Sequence, residues 1–525
     1  MTKTFLVNAL VGLAAFSGLV TCSPTPSKED KTPKPNWYDC PASLSTELKC
    51  LDVTVPLDYD DPDGETINIT AVKMITNSTD KIGSAVFQWG GPGFPVAVTV
   101  AQDLNGTAES FFQFKDRFDI VAVDPRGVGI NHPVKCDPKH GKENWFDAAY
   151  PNNEKEFNDG LAFFRELGES CANRTGKVIH HLDTVTQAKD LESVRVAMGE
   201  GRLTYYGLSW GTIRGQEYAR LYPQNIRAMI LDGVADHTIS SFDFTSTEIT
   251  GTANDMSRML DWAAHNESSP LKGQDVRGML REIVAKADET PIRMPGCEKS
   301  GTCQAEVNGN TFRGTIVAFL DHPLGISGGF PLCARSIQEA YEGNYTMWAT
   351  LNPTRPYEWD PSYSELGIIC QDFDFDEDWE RFQQTQMTTA ALSPDMEGCD
   401  ATRIWSMGCK GWPTKVTNPP HDYKITNTSA PILLVHALWD SSTPYQWAVR
   451  VNRKIEGSVL LTREGEGHGS LAFDSTRKAM FDYLVDPVKN LPKPLTVINE
   501  AVAHNETDGF STRPLALNPP DFDAA

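Results

Sequence analysis

The sequence is short of positive charge. Its 525 residues carry 47 Lys plus Arg against 70 Asp plus Glu, a formal net charge of −23. Such a surface repels phosphate backbones, so nucleic acid is excluded as an expected partner, and an anionic membrane offers little attraction. No Cys-x-x-Cys pair occurs, which removes the ligand spacing of zinc ribbons and thioredoxin-like sites. Beyond residue 20 no apolar run is long enough to span a bilayer. No internal repeat is present. What remains is ample core material: 40% hydrophobic and 22% charged residues, a balance that disordered, collagen-like and coiled-coil chains do not have.

The first residues set the expected compartment. Lys3 precedes an apolar run from Phe5 to Val20, which reads as a signal peptide over residues 1–22, cleaved between about residues 18 and 24. A lipoprotein signal on Cys22 is the alternative, but Leu19-Val20-Thr21 lacks the small residue wanted before that Cys. Ten Cys follow the signal, an even number that suggests disulfides in an exported chain. Cys40–Cys50 and Cys297–Cys303 are candidate local bridges, and the other pairings stay open. Eight Asn-x-Ser/Thr sites agree with a eukaryotic secretory route: Asn68, Asn77, Asn105, Asn173, Asn266, Asn344, Asn427 and Asn505. A secreted, extracellular protein is therefore expected.

Residues 23–50 read as a leader and N-terminal extension, opening with a Pro-, Lys- and Ser-rich stretch. Two alternating runs, at 51–56 and 66–72, flank Asp60-Asp61-Pro62-Asp63-Gly64 and predict a β-hairpin. Compact apolar runs at 84–89, 118–124, 203–206 and 228–232 read as buried parallel strands. A helical pattern at 184–198 lies among them. This alternation predicts an α/β fold with a mostly parallel sheet. The pattern degrades over 237–415, which reads as a large inserted cap holding six of the mature Cys. Strand signals resume at 431–436 and 458–461, and a helix is expected at 476–484. The core is thus divided into 51–236 and 416–525.

The chemistry is carried by three segments. Gly207-Leu208-Ser209-Trp210-Gly211 follows a strand and precedes a helical run. A nucleophilic serine needs a sharp strand-to-helix turn that lifts its hydroxyl above the sheet, with small neighbours to admit that turn. Gln88-Trp89-Gly90-Gly91-Pro92-Gly93 ends an earlier strand, where glycine lets a backbone N–H approach a developing oxyanion. No Lys-Ser/Thr pair follows, so this is not a phosphate loop. Asp440 and His468 each follow a late strand, which gives the order Ser, Asp, His. His468 would take the Ser209 proton, and Asp440 would hold the imidazole. Asp232, after its own strand, ranks second for the acid. This chemistry needs no cofactor and no metal.

Together these segments resemble the α/β-hydrolase fold. More narrowly, the chain is similar to serine peptidases related to prolyl aminopeptidase and tripeptidyl aminopeptidase. The resemblance rests on Val55-Pro56-Leu57-Asp58-Tyr59, Gly90-Gly91-Pro92-Gly93, Asp124-Pro125-Arg126-Gly127-Val128-Gly129, the Ser209 motif and Leu231-Asp232-Gly233-Val234. The segment from Cys409 to His468 resembles the C-terminal part of the tripeptidyl aminopeptidases. The resemblance implies a triad of Ser209, Asp440 and His468, with the N–H groups of Gly91 and Trp210 as the oxyanion hole. Trp89, Phe94 and Pro95 depart from the family pattern and add bulk at that loop.

The expected function is a serine hydrolase working through an acyl-enzyme, an exopeptidase acting on peptide N-termini. An esterase, lactonase or acyl-transfer hydrolase on a small metabolite is the alternative, because the same triad serves all of these. A non-catalytic binding protein would be expected to lack a triad member. An N-terminal peptidase must also hold a free ammonium, and carboxylates do this well. Within the acidic run after Cys370, Asp372 is the candidate for that contact.

Overall fold

The computed structural model describes residues 35–500, except 105–111, 142–144, 301–302, 322–328, 351–359, 376–377 and 399–401. The signal segment, Asn105 and Asn505 lie outside the described residues. A ten-stranded sheet organises the chain. Its strands are β1 (Tyr38–Asp39), β2 (Lys49–Pro56), β3 (Thr66–Met74), β4 (Gly83–Gln88), β5 (Phe118–Val123), β6 (Leu203–Leu208), β7 (Ile226–Asp232), β10 (Leu433–Trp439), β11 (Val459–Glu466) and β12 (Val497–Asn499). Between β7 and β10 lies a separate two-stranded ribbon, β8 (Ile292–Arg293) and β9 (Glu306–Val307). The sheet order is β1-β2-β3-β5-β4-β6-β7-β10-β11-β12. Strands β1, β2, β3 and β5 pair antiparallel, and every pairing from β5 onward to β12 is parallel.

The apolar runs form central strands because both of their faces are covered. Along β4 and β5, Val86, Val121 and Val123 join one buried cluster, while Ala85, Phe87, Ile120 and Ala122 join the other. Burial on both sides is what a period-two chain needs when helices pack on each face. The hairpin of β2 and β3 pairs Leu51 with Ala71 and Val53 with Ile69. The N-terminal extension was expected to stop at residue 50, ahead of the sheet. Instead β2 begins at Lys49 and β1 pairs with it, so the sheet starts inside that segment. The Cys40–Cys50 disulfide fixes this edge.

Between β7 and β10 the chain is mainly helical. Ser241–His265, Val276–Glu289, Gly309–Asp321, Gly329–Tyr341, Pro361–Asp372, Trp379–Leu392 and Thr402–Gly411 are its longer helices. Part of this insertion has its own apolar cluster, including Met256, Leu260, Phe312 and Trp348. Another part packs on the sheet: Leu366, Ile369, Phe373 and Trp405 belong to the same cluster as Val86 and Leu231. Disulfides join Cys136 to Cys171, Cys297 to Cys303 and Cys370 to Cys409. Cys333 is buried and unpaired among the described residues. Asn68, Asn77, Asn173, Asn344 and Asn427 are exposed, and Asn266 is half-buried. No described helix is long and apolar enough to cross a membrane.

Candidate active site

Parallel strands deliver their C-terminal ends to one edge of a sheet, and that edge collects the polar groups here. β6 ends at Ser209, which begins the Trp210–Leu221 helix with φ 57° and ψ −123°. A left-handed serine is strained unless its surroundings hold it. Here its N–H donates to the Asp232 carbonyl at 2.9 Å. Its own carbonyl accepts from the Thr212 N–H at 2.7 Å and the Thr212 hydroxyl at 2.6 Å. The flanking glycines are sterically required. A Cβ on Gly207 would lie 2.5 Å from the Gly211 carbonyl oxygen, and one on Gly211 would lie 2.8 Å from that of Gln88.

The glycine loop after β4 runs against this turn. A Cβ on Gly90 would stand 2.3 Å from the Ser209 Cβ, 2.6 Å from its Oγ and 3.0 Å from the Trp210 N. Gly91 follows with φ 107°. The Trp210 N–H is the first of its helix and has no intrahelical acceptor, so the helix terminus presents a donor beside the Ser209 hydroxyl. Asp124 braces the loop from beneath, accepting from the N–H groups of Val96, Ala97 and Ile130 at 2.6, 3.0 and 3.2 Å. Burial pushes its carboxyl up to about 6. Arg126 makes a two-pronged bond of 2.7 Å per contact to Asp190, which ties the same turn to the 184–197 helix. Phe94 is about half exposed at the loop tip.

His468 follows β11. Both Asp440 carboxylate oxygens lie 3.0 Å from its Nδ1. Asp440 is buried, and its Oδ1 also accepts from the N–H groups of Ser442 and Thr443 at 3.0 and 2.7 Å. Burial alone would lower the imidazole pKa, but the charge and hydrogen bond of Asp440 win and hold it above the ordinary value. For Asp440 burial likewise opposes ionisation, and His468 overrides it, so the carboxyl sits low. The imidazole rests over the turn after β7: a Cβ on Gly233 would lie 3.0 Å from the His468 Cε1. Asp232, whose carbonyl holds Ser209, immediately precedes that glycine. The structure therefore places Ser209, Asp440 and His468 after the C-terminal ends of β6, β10 and β11, on one edge of the sheet.

Asp232 does not bond the imidazole. Its Oδ2 accepts from the Tyr206 hydroxyl and the Ser470 N–H, both at 2.8 Å, so it anchors the loop that carries His468. Three further supports were not readable from spacing. His436 accepts from the Val234 N–H through Nδ1 at 2.8 Å and donates through Nε2 to the Thr443 carbonyl at 2.7 Å. Arg463 donates to the carbonyls of Glu466, Gly467 and Gly469 at 2.9, 3.0 and 3.1 Å. Asp321, at the end of an inserted helix, receives the His468 N–H on its carbonyl at 2.9 Å. The strand-like sequence around His436, His-Ala-Leu-Trp, carries only the signal of burial.

Asp372 is not open to solvent. It was expected to face a cleft and meet a substrate ammonium. It is fully buried, and its carboxylate accepts from the Thr184 N–H at 3.0 Å, the Thr184 hydroxyl and the Asn418 amide at 2.8 Å. Burial pushes its pKa up to about 8. Thr184 in turn accepts from the Trp210 indole N–H at 3.2 Å. Asp372 thus supports the wall behind Trp210. That wall is aromatic: Phe373 and Trp405 lie 5.9 and 6.3 Å from the Trp210 ring. Inserted helices also reach the turn after β5, where Ser364 donates to the Gly127 carbonyl at 2.5 Å. A separate trio, Glu217, His237 and His421, offers the donor set for a cation.

Comparisons with known proteins agree with this architecture. Residues 91–292 match the protein family described as alpha/beta hydrolase fold, and residues 396–493 match the family described as TAP-like protein. Tripeptidyl aminopeptidase of Streptomyces coelicolor is 27% identical over 83% of this chain and 80% of its own length. Serine protease Hip1 of Mycobacterium tuberculosis is 27% identical over 82% of this chain and 84% of its own. Carboxylesterase B of the same species is 23% identical over 88% and 90%.

Proposed function

We propose that this serine hydrolase of the α/β-hydrolase fold is a secreted exopeptidase that releases residues or short peptides from peptide N-termini. The observation that carries the reading is the left-handed Ser209 after β6, on the same sheet edge as a His468 whose Nδ1 is held by Asp440. The likeness to tripeptidyl aminopeptidase over most of both chains supports the substrate class.

In this reading Nε2 of His468 takes the Ser209 proton as Oγ attacks the scissile carbonyl. The oxyanion gathers on the N–H groups of Gly91 and Trp210, which are fixed before the reaction begins. His468 then gives the proton to the leaving amine, and the acyl group stays on Ser209. Water, deprotonated by the same nitrogen, completes the cycle. Asp440 remains ionised throughout and keeps the proton on Nδ1. The inserted residues 237–415 act as a cap over the sheet edge and limit the length of substrate admitted. Among the described residues, four disulfides and five exposed glycosylation sequons support an oxidising, extracellular location.

Carboxylesterase B favours a second reading, ester or lactone hydrolysis by the same residues. One panel separates them. Tripeptidyl and aminoacyl amides with a free amine are compared with their acetylated twins and with simple esters and lactones. The peptidase reading expects amides with a free amine to be cleaved best. Equal cleavage of acetylated and free substrates, or turnover of esters alone, overturns it.

A further inference from the structure

We propose that Glu217, His237 and His421 form a binding site for a divalent transition cation, zinc by its ligand chemistry, that pins the segment around His421 to the helix carrying the nucleophile turn. One ligand atom from each of the three lies within 4.8 Å of the others. Glu217 sits eight residues beyond Ser209 on the same helix, roughly 12 Å along its axis. His237 follows β7, and His421 lies between the Thr402–Gly411 helix and β10.

The hydrogen bonds around the trio leave three lone pairs facing one another. His237 donates through Nε2 to the Asp372 carbonyl at 2.6 Å, so in the neutral ring Nδ1 carries the lone pair. That atom has no hydrogen-bond partner, and the residue is fully buried. His421 bonds the Pro419 carbonyl through Nδ1 at 3.0 Å, which leaves the Nε2 lone pair turned to Glu217 at 3.9 Å. Glu217 is 1% exposed, and Arg220 occupies its Oε2 at 2.7 Å. Its Oε1 has no hydrogen-bond partner. Backbone carbonyls that orient ligating imidazoles in this way are the usual outer support of a metal site.

Two imidazoles and one carboxylate suit zinc and leave a fourth position for water. Zinc would draw the ligand atoms to roughly 3.3 Å from one another, given bonds of about 2.0–2.1 Å. His421, partly exposed, can supply that movement and gives the ion its entry path. Tyr423 already fastens the same segment by donating to Gln216 at 2.5 Å, so the ion would add a second tie two residues away. The site stands apart from Ser209 and takes no part in the hydrolytic steps.

The test uses the purified full-length protein, stripped with a chelator and dialysed. Zinc chloride is titrated, bound metal is counted by mass spectrometry after gel filtration, and Tm is followed with and without zinc. One equivalent is expected to remain bound to wild type and to raise its Tm. His421→Ala and Glu217→Gln should each weaken binding by more than about tenfold and abolish the Tm rise. His421→Ala removes a partly exposed side chain, so it keeps the test open if Glu217→Gln fails to fold. Zinc retained equally by wild type and His421→Ala, or retained by neither, overturns the proposal. A cation held instead at the buried acids near His468, Asp255 and Glu466, would survive both substitutions and so counts against it.

Discussion

Asp440 places both of its carboxylate oxygens 3.0 Å from one nitrogen of His468, and the two residues come from the adjacent parallel strands β10 and β11. That contact favours the tautomer with the proton on Nδ1. The charge of Asp440 holds the imidazole pKa up, against the effect of burial. On the proposed mechanism the base must be neutral to act, so activity is expected to rise with pH as His468 loses its proton. Asp440→Asn removes the raising charge. It should lower kcat by about 10⁴-fold and move the acid limb of the residual pH profile to lower pH. A limb that stays in place would show that another group controls His468.

Ser209→Ala should lower kcat by roughly six orders of magnitude while the far-ultraviolet spectrum and Tm stay near wild type. Its backbone contacts to Asp232 and Thr212 do not use the side chain. More than a few per cent of wild-type activity in the purified variant would remove Ser209 from the chemistry.

Gly90→Ala tests the glycine loop. The added methyl would lie 2.3 Å from the Ser209 Cβ, so the loop or the serine must shift. A misplacement near 1 Å costs about 100-fold or more in rate. Steady-state kinetics and an active-site titrant should both report the loss, and unchanged kinetics would place the loop elsewhere.

Asp372 gives a prediction of stability against pH. Its folded pKa, about 8, lies above the ordinary carboxyl value. Between those two values the native state binds a proton that the unfolded chain has released, so this group's contribution to stability falls as pH rises from about 4 to about 8. Asp372→Asn should flatten that part of the urea-midpoint profile. It should leave the ratio of free-amine to acetylated substrate cleavage unchanged, and a collapse of that ratio would return Asp372 to amine binding.

Much of the sheet was legible because its central strands are mostly apolar, as at Phe118–Val123 and Leu433–Trp439, each broken by one polar residue, Asp119 or His436. Ser209 and Asp440 were singled out because each directly follows a strand-like segment, and His468 because it comes shortly after the apolar start of β11. The supporting residues could not. His436, Arg463 and Asp321 act through carbonyls and amides brought together only by the fold. Asp372 misled for the opposite reason. It opens an acidic run and so reads as polar surface, yet Ile368, Ile369, Cys370 and Phe373 around it are all buried. Side-chain charge announced solvent where helix packing had closed it off.

Strands β7 and β10 lie side by side, but Val234 and His436, which bond across their ends, are 202 residues apart in the chain. The ribosome completes the serine turn and the glycine loop long before the strands that bring the histidine and its acid. On the proposed triad, a nascent chain halted anywhere in the helical insertion holds a nucleophile with no base, and a full one must bring its last strands to the sheet across that long detour. On the proposed triad, the base and its acid are thus the last parts of the site to be synthesised.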